Sequence, residues 1–211
     1  RWEQIKGNYL HVTVGPAGVW AVNNLNRVYR LQNFEWMQLS GRLKQIDAGG
    51  DMFLVGVDSK ESIYCLNQES VKGTALSYME VEGRLNFKHV SYDAGFLWLI
   101  AENGSIIKCA YPESILPMPG KLRQLDAGSG EVYGVSDDDK VFFWHSNRWA
   151  QIAGNYSHVT VGPAGVWAVN RQNFVYRLQD FAWMHVSGLL KQIDAGGDTF
   201  LAGVNAADNI Y

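Results

Sequence analysis

Residues 11–31 read HVTVGPAGVWAVNNLNRVYRL, and this pattern returns along the whole chain. An alternating apolar run is followed by a glycine-containing turn, a second apolar run that ends in Asn or Asp, and an apolar residue beside an aromatic one. The stretches QIDAGGDMFLVGVDSKESIYCL, from Gln45, and QLDAGSGEVYGVSDDDKVFFW, from Gln124, repeat it. A repeat of fixed period decides the architecture of a chain, so this unit is the basis of the fold prediction.

Six copies of the unit are present, each marked by an apolar residue in its first run. These anchors are Val12, Ile46, Val90, Leu125, Val159 and Ile193, separated by 34, 44, 35, 34 and 34 residues. The long second gap predicts an insertion loop at Asn67–Ser77. Residues 1–50 and 148–197 are identical at 39 of 50 positions, which indicates an internal duplication.

Each unit divides into four short runs rich in Val, Ile and aromatic residues and separated by turn residues, as in Leu10–Val14, Val19–Asn23, Val28–Leu31 and Trp36–Leu39. No stretch has the apolar spacing of a helix. The sequence therefore predicts an all-β chain, a six-bladed β-propeller of four-stranded antiparallel blades that spans residues 1–211 as a single domain. A solenoid is the rival architecture, but the near-identity of the first and fifth units favours a closed ring over a stack with specialised caps.

The two ends of the sequence predict how the ring closes. Trp2–Ile5 matches Trp149–Ile152, which is a fourth-strand sequence, whereas Asn209–Tyr211 corresponds to a third strand. The N-terminal run is therefore predicted to supply the outer strand of the last blade.

Composition narrows the classes of partner. Apolar residues make up 47% of the 211 residues and charged residues only 18%, as expected for a folded protein with a large core. The net charge of -3 gives no electrostatic reason to bind nucleic acid or an anionic membrane. No apolar run reaches the roughly 20 residues of a bilayer span, and the chain opens without a basic and apolar leader. Cys65 and Cys109 lie at the same position of adjacent third strands and are predicted to remain unpaired.

The pattern W-x-x-I-x-G followed by V-W-x-V-N resembles the tectonin repeat. The stretches HVTVGPAGVWAVN, LLKQIDAGGD and NAADNIY make the chain similar to the tectonin-repeat lectins, and most of all to the fish-egg lectins. The resemblance implies a secreted lectin, in egg or body fluid, that binds N-acetylglucosamine-type or bacterial surface glycans multivalently in innate defence. Members of that family often carry several disulfides, so its pairing does not transfer to a chain with two cysteines. Other tectonin proteins are intracellular adaptors, which leaves a protein or phospholipid partner as the alternative.

Candidate sugar-binding residues combine planar amides, which hydrogen-bond to hydroxyls, with aromatic faces that cover the apolar side of a pyranose ring. The turn after the second strand and the linker into the next blade are predicted to share one face, on the first and fifth blades alike. Asn is also the ordinary residue of tight turns, and a second-strand Trp is also a core residue. The candidates are Asn8, Tyr9, Trp20, Asn23, Asn26, Asp58, Asn155, Tyr156, Trp167, Asn170, Asn173 and Asn205.

Other chemistries have weaker support. Asp47, Asp51, Asp194 and Asp198 of the DAGGD segments offer too few closely spaced oxygens for calcium, so we expect no metal and no cofactor. His11, His89 and His158 begin first strands without a nucleophile in a matching context and are predicted to be structural, which argues against an enzyme. Sequons occur at Asn103 and Asn155, and a glycan on Asn155 would obstruct the predicted site beside it.

Overall fold

The computed structural model describes residues 1–50, 53–66, 77–78, 86–110, 114–198 and 200–211, and all of their regular structure is β. Six four-stranded antiparallel sheets form the blades of a six-bladed β-propeller, which confirms the predicted fold. Blade 1 contains β2 (His11–Gly15), β3 (Gly18–Val22), β4 (Arg27–Gln32) and β5 (Glu35–Arg42); blade 2 contains β6 (Gln45–Gly50), β7 (Phe53–Val57), β8 (Ile63–Leu66) and β9 (Ser77–Tyr78). Blade 3 contains β10 (Phe87–Asp93), β11 (Phe96–Ala101), β12 (Ser105–Ala110) and β13 (Ser114–Lys121).

Blade 4 contains β14 (Gln124–Gly128), β15 (Glu131–Val135), β16 (Lys140–His145) and β17 (Arg148–Asn155). Blade 5 contains β18 (His158–Gly162), β19 (Gly165–Val169), β20 (Phe174–Gln179) and β21 (Ala182–Leu189). Blade 6 contains β22 (Gln192–Asp194), β23 (Ala202–Val204), β24 (Asn209–Ile210) and, as its outer strand, β1 (Ile5–Asn8).

The N-terminal strand closes the ring, as the sequence predicts. Ile5 pairs with Ile210 and Asn8 with Asn209, and the Tyr9 N–H donates to the Asp208 carbonyl over 2.8 Å. The strand begins at Ile5, three residues after the predicted start at Trp2, because its neighbour β24 pairs only through Asn209 and Ile210. Trp2 instead donates its indole N–H to the Ser187 carbonyl of blade 5, at 2.8 Å.

The hydrophobic core lies in the seams, the spaces between the facing sheets of adjacent blades. Trp20 of blade 1 and Leu54 of blade 2 belong to one fully buried cluster, with Tyr64 packed against it. The free thiols of Cys65 and Cys109 share the next seam, which agrees with the expectation that they do not pair. Most of the predicted insertion loop, 67–76, lies outside the described residues. Within the described part of the chain, no helix is long and apolar enough to cross a bilayer.

Glycines at the ends of the inner strands allow adjacent blades to approach backbone to backbone. A Cβ built on Gly15 would lie 1.7 Å from the Ala48 carbonyl oxygen of blade 2, and one on Gly196 would lie 1.9 Å from the Val14 carbonyl oxygen of blade 1. Gly128 and Gly162 stand in the same relation to Val161 and Ala195, with Cβ distances of 2.3 Å. These positions exclude every side chain, so glycine sets the spacing of the ring.

Inner strands also bind one another through a ring of side chains that we call the axial girdle. Blades 1, 3 and 5 begin with His-x-Thr or His-x-Ser, and blades 2, 4 and 6 with Gln-x-Asp. Each His donates its Nε2–H to a carbonyl of the following blade, as His11 does to Ile46 at 2.9 Å. Gln192 donates to the Val12 carbonyl and accepts from the Val12 N–H, and Gln45 and Gln124 make the same pair of bonds with Val90 and Val159.

The second layer of the axial girdle is made by the Thr, Ser and Asp side chains. Asp47 accepts from the Ser91 hydroxyl and the Tyr92 N–H, while Ser91 in turn accepts from the Ala127 N–H. Side chains of this layer thus cross all the blade boundaries by hydrogen bonds to the neighbouring main chain. The prediction that His11, His89 and His158 are structural agrees with this arrangement.

Candidate functional site

The propeller axis contains a small polar cavity of about 20 Å³, lined by the His, Gln and Asp side chains of the axial girdle. That volume holds about one water molecule, so the cavity is too small for an organic ligand. Burial, and repulsion from Asp194, raise the pKa of Asp47 to about 7, and the same causes together with Asp47 raise the pKa of Asp126 well above its ordinary value. Burial lowers the pKa of His89 and His158 to about 3, so both rings are neutral at physiological pH.

These shifts predict that the protein loses stability as the pH rises from 6.5 to 8. The folded state holds the Asp47 and Asp126 protons more tightly than the unfolded chain, so their stabilising effect is present at low pH and is lost as the pH rises through the raised pKa values. The buried histidines act in the opposite direction, and their effect fades as the pH rises above their ordinary pKa of about 6.5. Each proton contributes at most about 1.4 kcal/mol per pH unit.

Urea unfolding at pH 6.5, 7.25 and 8 measures this slope. In the Asp194→Asn variant we expect a shallower slope, because the carboxylate that repels Asp47 and Asp126 is removed. A free energy of unfolding that is constant or rises with pH in the wild-type protein would contradict the expectation.

A much larger concave surface, which we call the 5/6 groove, lies between blades 5 and 6 and extends to the Asn33–Phe34 turn of blade 1. Its volume is about 1230 Å³. It is lined by Trp167 and Arg177 of blade 5 and by Phe200 and Leu201 of blade 6. Arg1, Trp2, Glu3 and Phe34 also line it. Aromatic, aliphatic and charged groups therefore meet in one open cleft.

Hydrogen bonds fix the two tryptophans of the 5/6 groove. Trp167 donates its indole N–H to the Ala164 carbonyl at 2.9 Å, and Trp2 is held by its bond to Ser187. The Arg177 guanidinium carbon lies 5.5 Å from the centre of the Trp167 ring, in a cation–π contact between cross-strand partners. Within the described ranges, Arg1 and Arg177 form no ion pair with a carboxylate, so their N–H donors are available to a ligand.

The equivalent pair in blade 1, Arg30 and Trp20, has the same geometry, but a ligand cannot reach its tryptophan. Arg30 lies 5.3 Å from the centre of the Trp20 ring, yet Trp20 is 0% exposed because blade 2 covers it. Trp167 is only partly buried. The two predicted aromatic positions are therefore not equivalent, and only Trp167 lines a cleft.

A family model for the tectonin domain matches residues 1–112 and 121–211. The chain belongs to the tectonin family. The resemblance to tectonin repeats inferred from the sequence is thus confirmed, and it extends through nearly all of the propeller.

Two curated relatives extend the comparison of this tectonin chain. The fish-egg lectin of Cyprinus carpio is 46% identical over 120 residues, which cover 51% of this chain and 50% of that protein. Tectonin-1 of Physarum polycephalum is 34% identical over 53 residues, covering 25% of this chain and 24% of the relative. The matches thus span half or less of the length of these relatives.

Solved structures share the fold at low identity. Human WBSCR16 superposes with a TM-score of 0.66 at 13% identity, over 88% of this chain and 69% of that one. YCF48 from Cyanidioschyzon merolae superposes with a TM-score of 0.60 at 14% identity, over 96% and 81% of the two chains. At such identities the likeness extends to the fold alone.

The predicted asparagines of the tectonin turns perform turn chemistry. Asn23 accepts from the Leu25 and Arg27 N–H groups, both at 3.0 Å, and Asp58, Asn170 and Asn205 make the equivalent pair of bonds. Asn26 and Asn173 close the same turns with φ of 59° and 67°, in the left-handed region that Asn tolerates. Their side-chain oxygens or backbone angles thus stabilise the turns, which is the usual role of Asn in turns.

Tyr9 and Tyr156 are not the exposed aromatic platforms that their turn positions suggested. Each is 7% exposed. Tyr9 packs against Tyr29, with ring centres 5.2 Å apart, and against Trp36 at 4.7 Å, and Tyr156 makes the same two contacts in blade 5. The linker that carries each tyrosine and the third strand of the blade face the same seam. The tyrosine rings therefore point into the core.

Asn8 and Asn155 are exposed beside these buried tyrosines. Asn155 accepts a bond of 2.7 Å from Lys140 Nζ, so its amide is shared with a neighbouring strand. Among the described residues no group of His, Cys, Asp and Glu has the arrangement of a metal site, and Asp51 lies outside that set.

The sequence prediction missed Arg177, Trp2, Phe34 and Phe200 of the 5/6 groove. A usable signal was present for Arg177, since V-W-A-V and V-Y-R in successive strands place Trp and Arg as cross-strand partners. No comparable pattern marks the other three, because they converge from different blades only when the ring closes.

Proposed function

We propose that this tectonin protein is a glycan-binding lectin and that the 5/6 groove is a saccharide-binding site. The observation that carries the proposal is the accessible Trp167 and Arg177 pair, whose duplicate in blade 1 is sealed by the neighbouring blade. The ligands proposed are N-acetylglucosamine-type or bacterial surface glycans.

The chemistry of the groove suits a pyranose ring. Aromatic rings cover the C–H face of a sugar, while guanidinium N–H groups donate to its ring, hydroxyl and acetamido oxygens. Phe34 is 91% and Phe200 50% exposed, so apolar surface is available at the rim of the cleft. An open cleft of this kind favours an oligosaccharide, which fills it with several sugar units, over a monosaccharide.

Membership of the tectonin family and 46% identity over 120 residues to a protein named as a fish-egg lectin support a lectin rather than an enzyme. We propose secretion and a role in innate defence on the same basis. In a secreted protein Asn103 would be open to glycosylation, because its sequon lies in an exposed hairpin turn. Several sites on one rigid ring would raise the avidity for a polyvalent surface by about 10² to 10⁴.

Replacing Arg177 with alanine tests the proposed site. We expect chitotriose to bind at least about five-fold more weakly to Arg177→Ala in titration calorimetry, because a hydrogen-bond donor beside the tryptophan is lost. Arg177 is exposed, so the variant should retain the melting temperature of the parent.

Arg30→Ala is the matched control, since it removes the duplicate cation from a buried tryptophan and should bind chitotriose like the parent. Equal losses in the two variants, or unchanged binding in Arg177→Ala, would exclude the 5/6 groove. Failure of the parent to bind chitotriose or bacterial glycans on an array would favour the protein or phospholipid adaptor instead.

A further inference from the structure

Two phenylalanines at hairpin tips adopt backbone angles that bulky side chains avoid. Phe34 has φ of 63° and Phe181 has φ of 60°, each at the second central position of the turn between the third and fourth strands. Blade 4 builds the same turn from Ser146 and Asn147, with φ of 49° and 59°. Asn is well suited to this left-handed conformation and Phe is not, so the phenylalanines are held under backbone strain.

The strained rings are also exposed. Phe34 is 91% exposed and Phe181 70%, so core packing does not account for them. The duplicated segments differ at both flanking positions, where Asn33 and Glu35 correspond to Asp180 and Ala182, whereas the phenylalanine is the same. Strain together with loss of apolar burial indicates that the exposed ring itself has a use.

Each tip lies beside other aromatic or apolar side chains of a neighbouring blade. Phe34 is at the rim of the 5/6 groove. Phe181 lies at the seam between blades 4 and 5, where its ring centre is 5.9 Å from that of Phe143 in blade 4. Phe143 stacks on Tyr133 at 5.9 Å and lies 6.0 Å from the imidazole of His145, which is exposed. Phe143 therefore contacts both an exposed aromatic ring and an imidazole, which carries a donor and an acceptor nitrogen.

We infer that Phe181, Phe143 and His145 form a second saccharide-binding site, at the seam between blades 4 and 5. The inference rests on the proposed lectin function and adds a separate site to it. Phe181 stacks on the C–H face of one pyranose ring, and the His145 imidazole exchanges hydrogen bonds with its hydroxyl groups. Phe34 performs the same stacking at the edge of the 5/6 groove, so the duplicated hairpin serves both sites.

The substitution Phe181→Asn separates binding from folding. Asn removes the ring but tolerates the left-handed φ, so we expect the melting temperature to stay the same or rise. We expect sugar binding to be lost at the seam between blades 4 and 5 alone. Calorimetry with chitotriose should change from two sites per chain to one. In NMR titrations, the His145 imidazole signals should move in the parent and stay fixed in the variant, while the Trp167 indole signal moves in both.

Phe34→Asn is the reciprocal control, and it should weaken the response of Trp167 while leaving that of His145 intact. If His145 does not respond to chitotriose in the parent while Trp167 does, the second site is wrong and the lectin proposal stands. If neither signal responds to chitotriose or to bacterial oligosaccharides, the proposed function itself fails. A Phe181→Asn protein that keeps two sites would also overturn the inference.

Discussion

The Gly15→Ala variant is expected to lose several kcal/mol of stability, because its added Cβ makes the shortest contact of any glycine in the described part of the chain. The added Cβ would lie 1.7 Å from the Ala48 carbonyl oxygen and 2.5 Å from its carbonyl carbon, so backbone must move against backbone. Overpacking of a core typically costs about 1–3 kcal/mol, and more where no flexible side chain yields. Gly15 does not have positive φ, so the loss would report the distance between blades 1 and 2 alone.

Urea unfolding with tryptophan fluorescence measures this loss. Gly130→Asn is the matched control, because no atom lies within 4 Å of a Cβ at Gly130 and Asn tolerates its φ of 79°. The control should stay within about 0.5 kcal/mol of the parent, as surface changes usually do. If Gly15→Ala is as stable as the control, the close approach of the inner strands is not what sets the spacing of the ring.

Deleting residues 1–8 should have the second large effect, a sharp fall in the melting temperature together with self-association. The deletion removes β1, exposes the apolar side chain of Ile210 and leaves β24 as a two-residue edge with unpaired N–H and C=O groups. Exposed strand edges pair with other chains, so aggregation should accompany the loss of stability.

Calorimetry and light scattering detect both consequences. Lys6→Ala, an exposed change within the same strand, is the control and should behave like the parent. An unchanged melting temperature after the deletion would mean that the ring is held by its inner strands and does not need the N-terminal strand.

Repetition made the fold predictable. The six anchors from Val12 to Ile193, with four of their five gaps at 34 or 35 residues, predict the number of blades. The similarity of Trp2–Ile5 to a fourth strand predicts the mode of closure. The start of β1 was wrong by three residues because strand ends depend on the partner strand, and local sequence carries no information about the extent of β24.

The proposed site was far less predictable than the fold, for a reason visible in the duplicated segments. HVTVGPAGVWAVN occurs unchanged at residues 11–23 and 158–170, yet Trp20 is sealed and Trp167 lines a groove. Identical local sequences differ in access because the following blades cover them differently. The amide-rich turns stay a prediction as sugar sites, since the hydrogen-bonding groups that make Asn suitable for sugars also make it suitable for a turn, as Asn23 shows.

The alternation of two strand types in the axial girdle requires an even number of blades. A Gln-x-Asp strand places its carboxylate against the hydroxyl of a His-x-Thr or His-x-Ser neighbour, as Asp47 does against Ser91. An odd number of blades would set two like strands side by side. Two Gln-x-Asp strands would bring two buried carboxylates together, and two His-x-Thr or His-x-Ser strands would leave a buried hydroxyl without a carboxylate acceptor. Propellers with this girdle should therefore gain or lose blades in pairs. The duplication obeys this rule, since it carries blade 1 onto blade 5, four places along the ring.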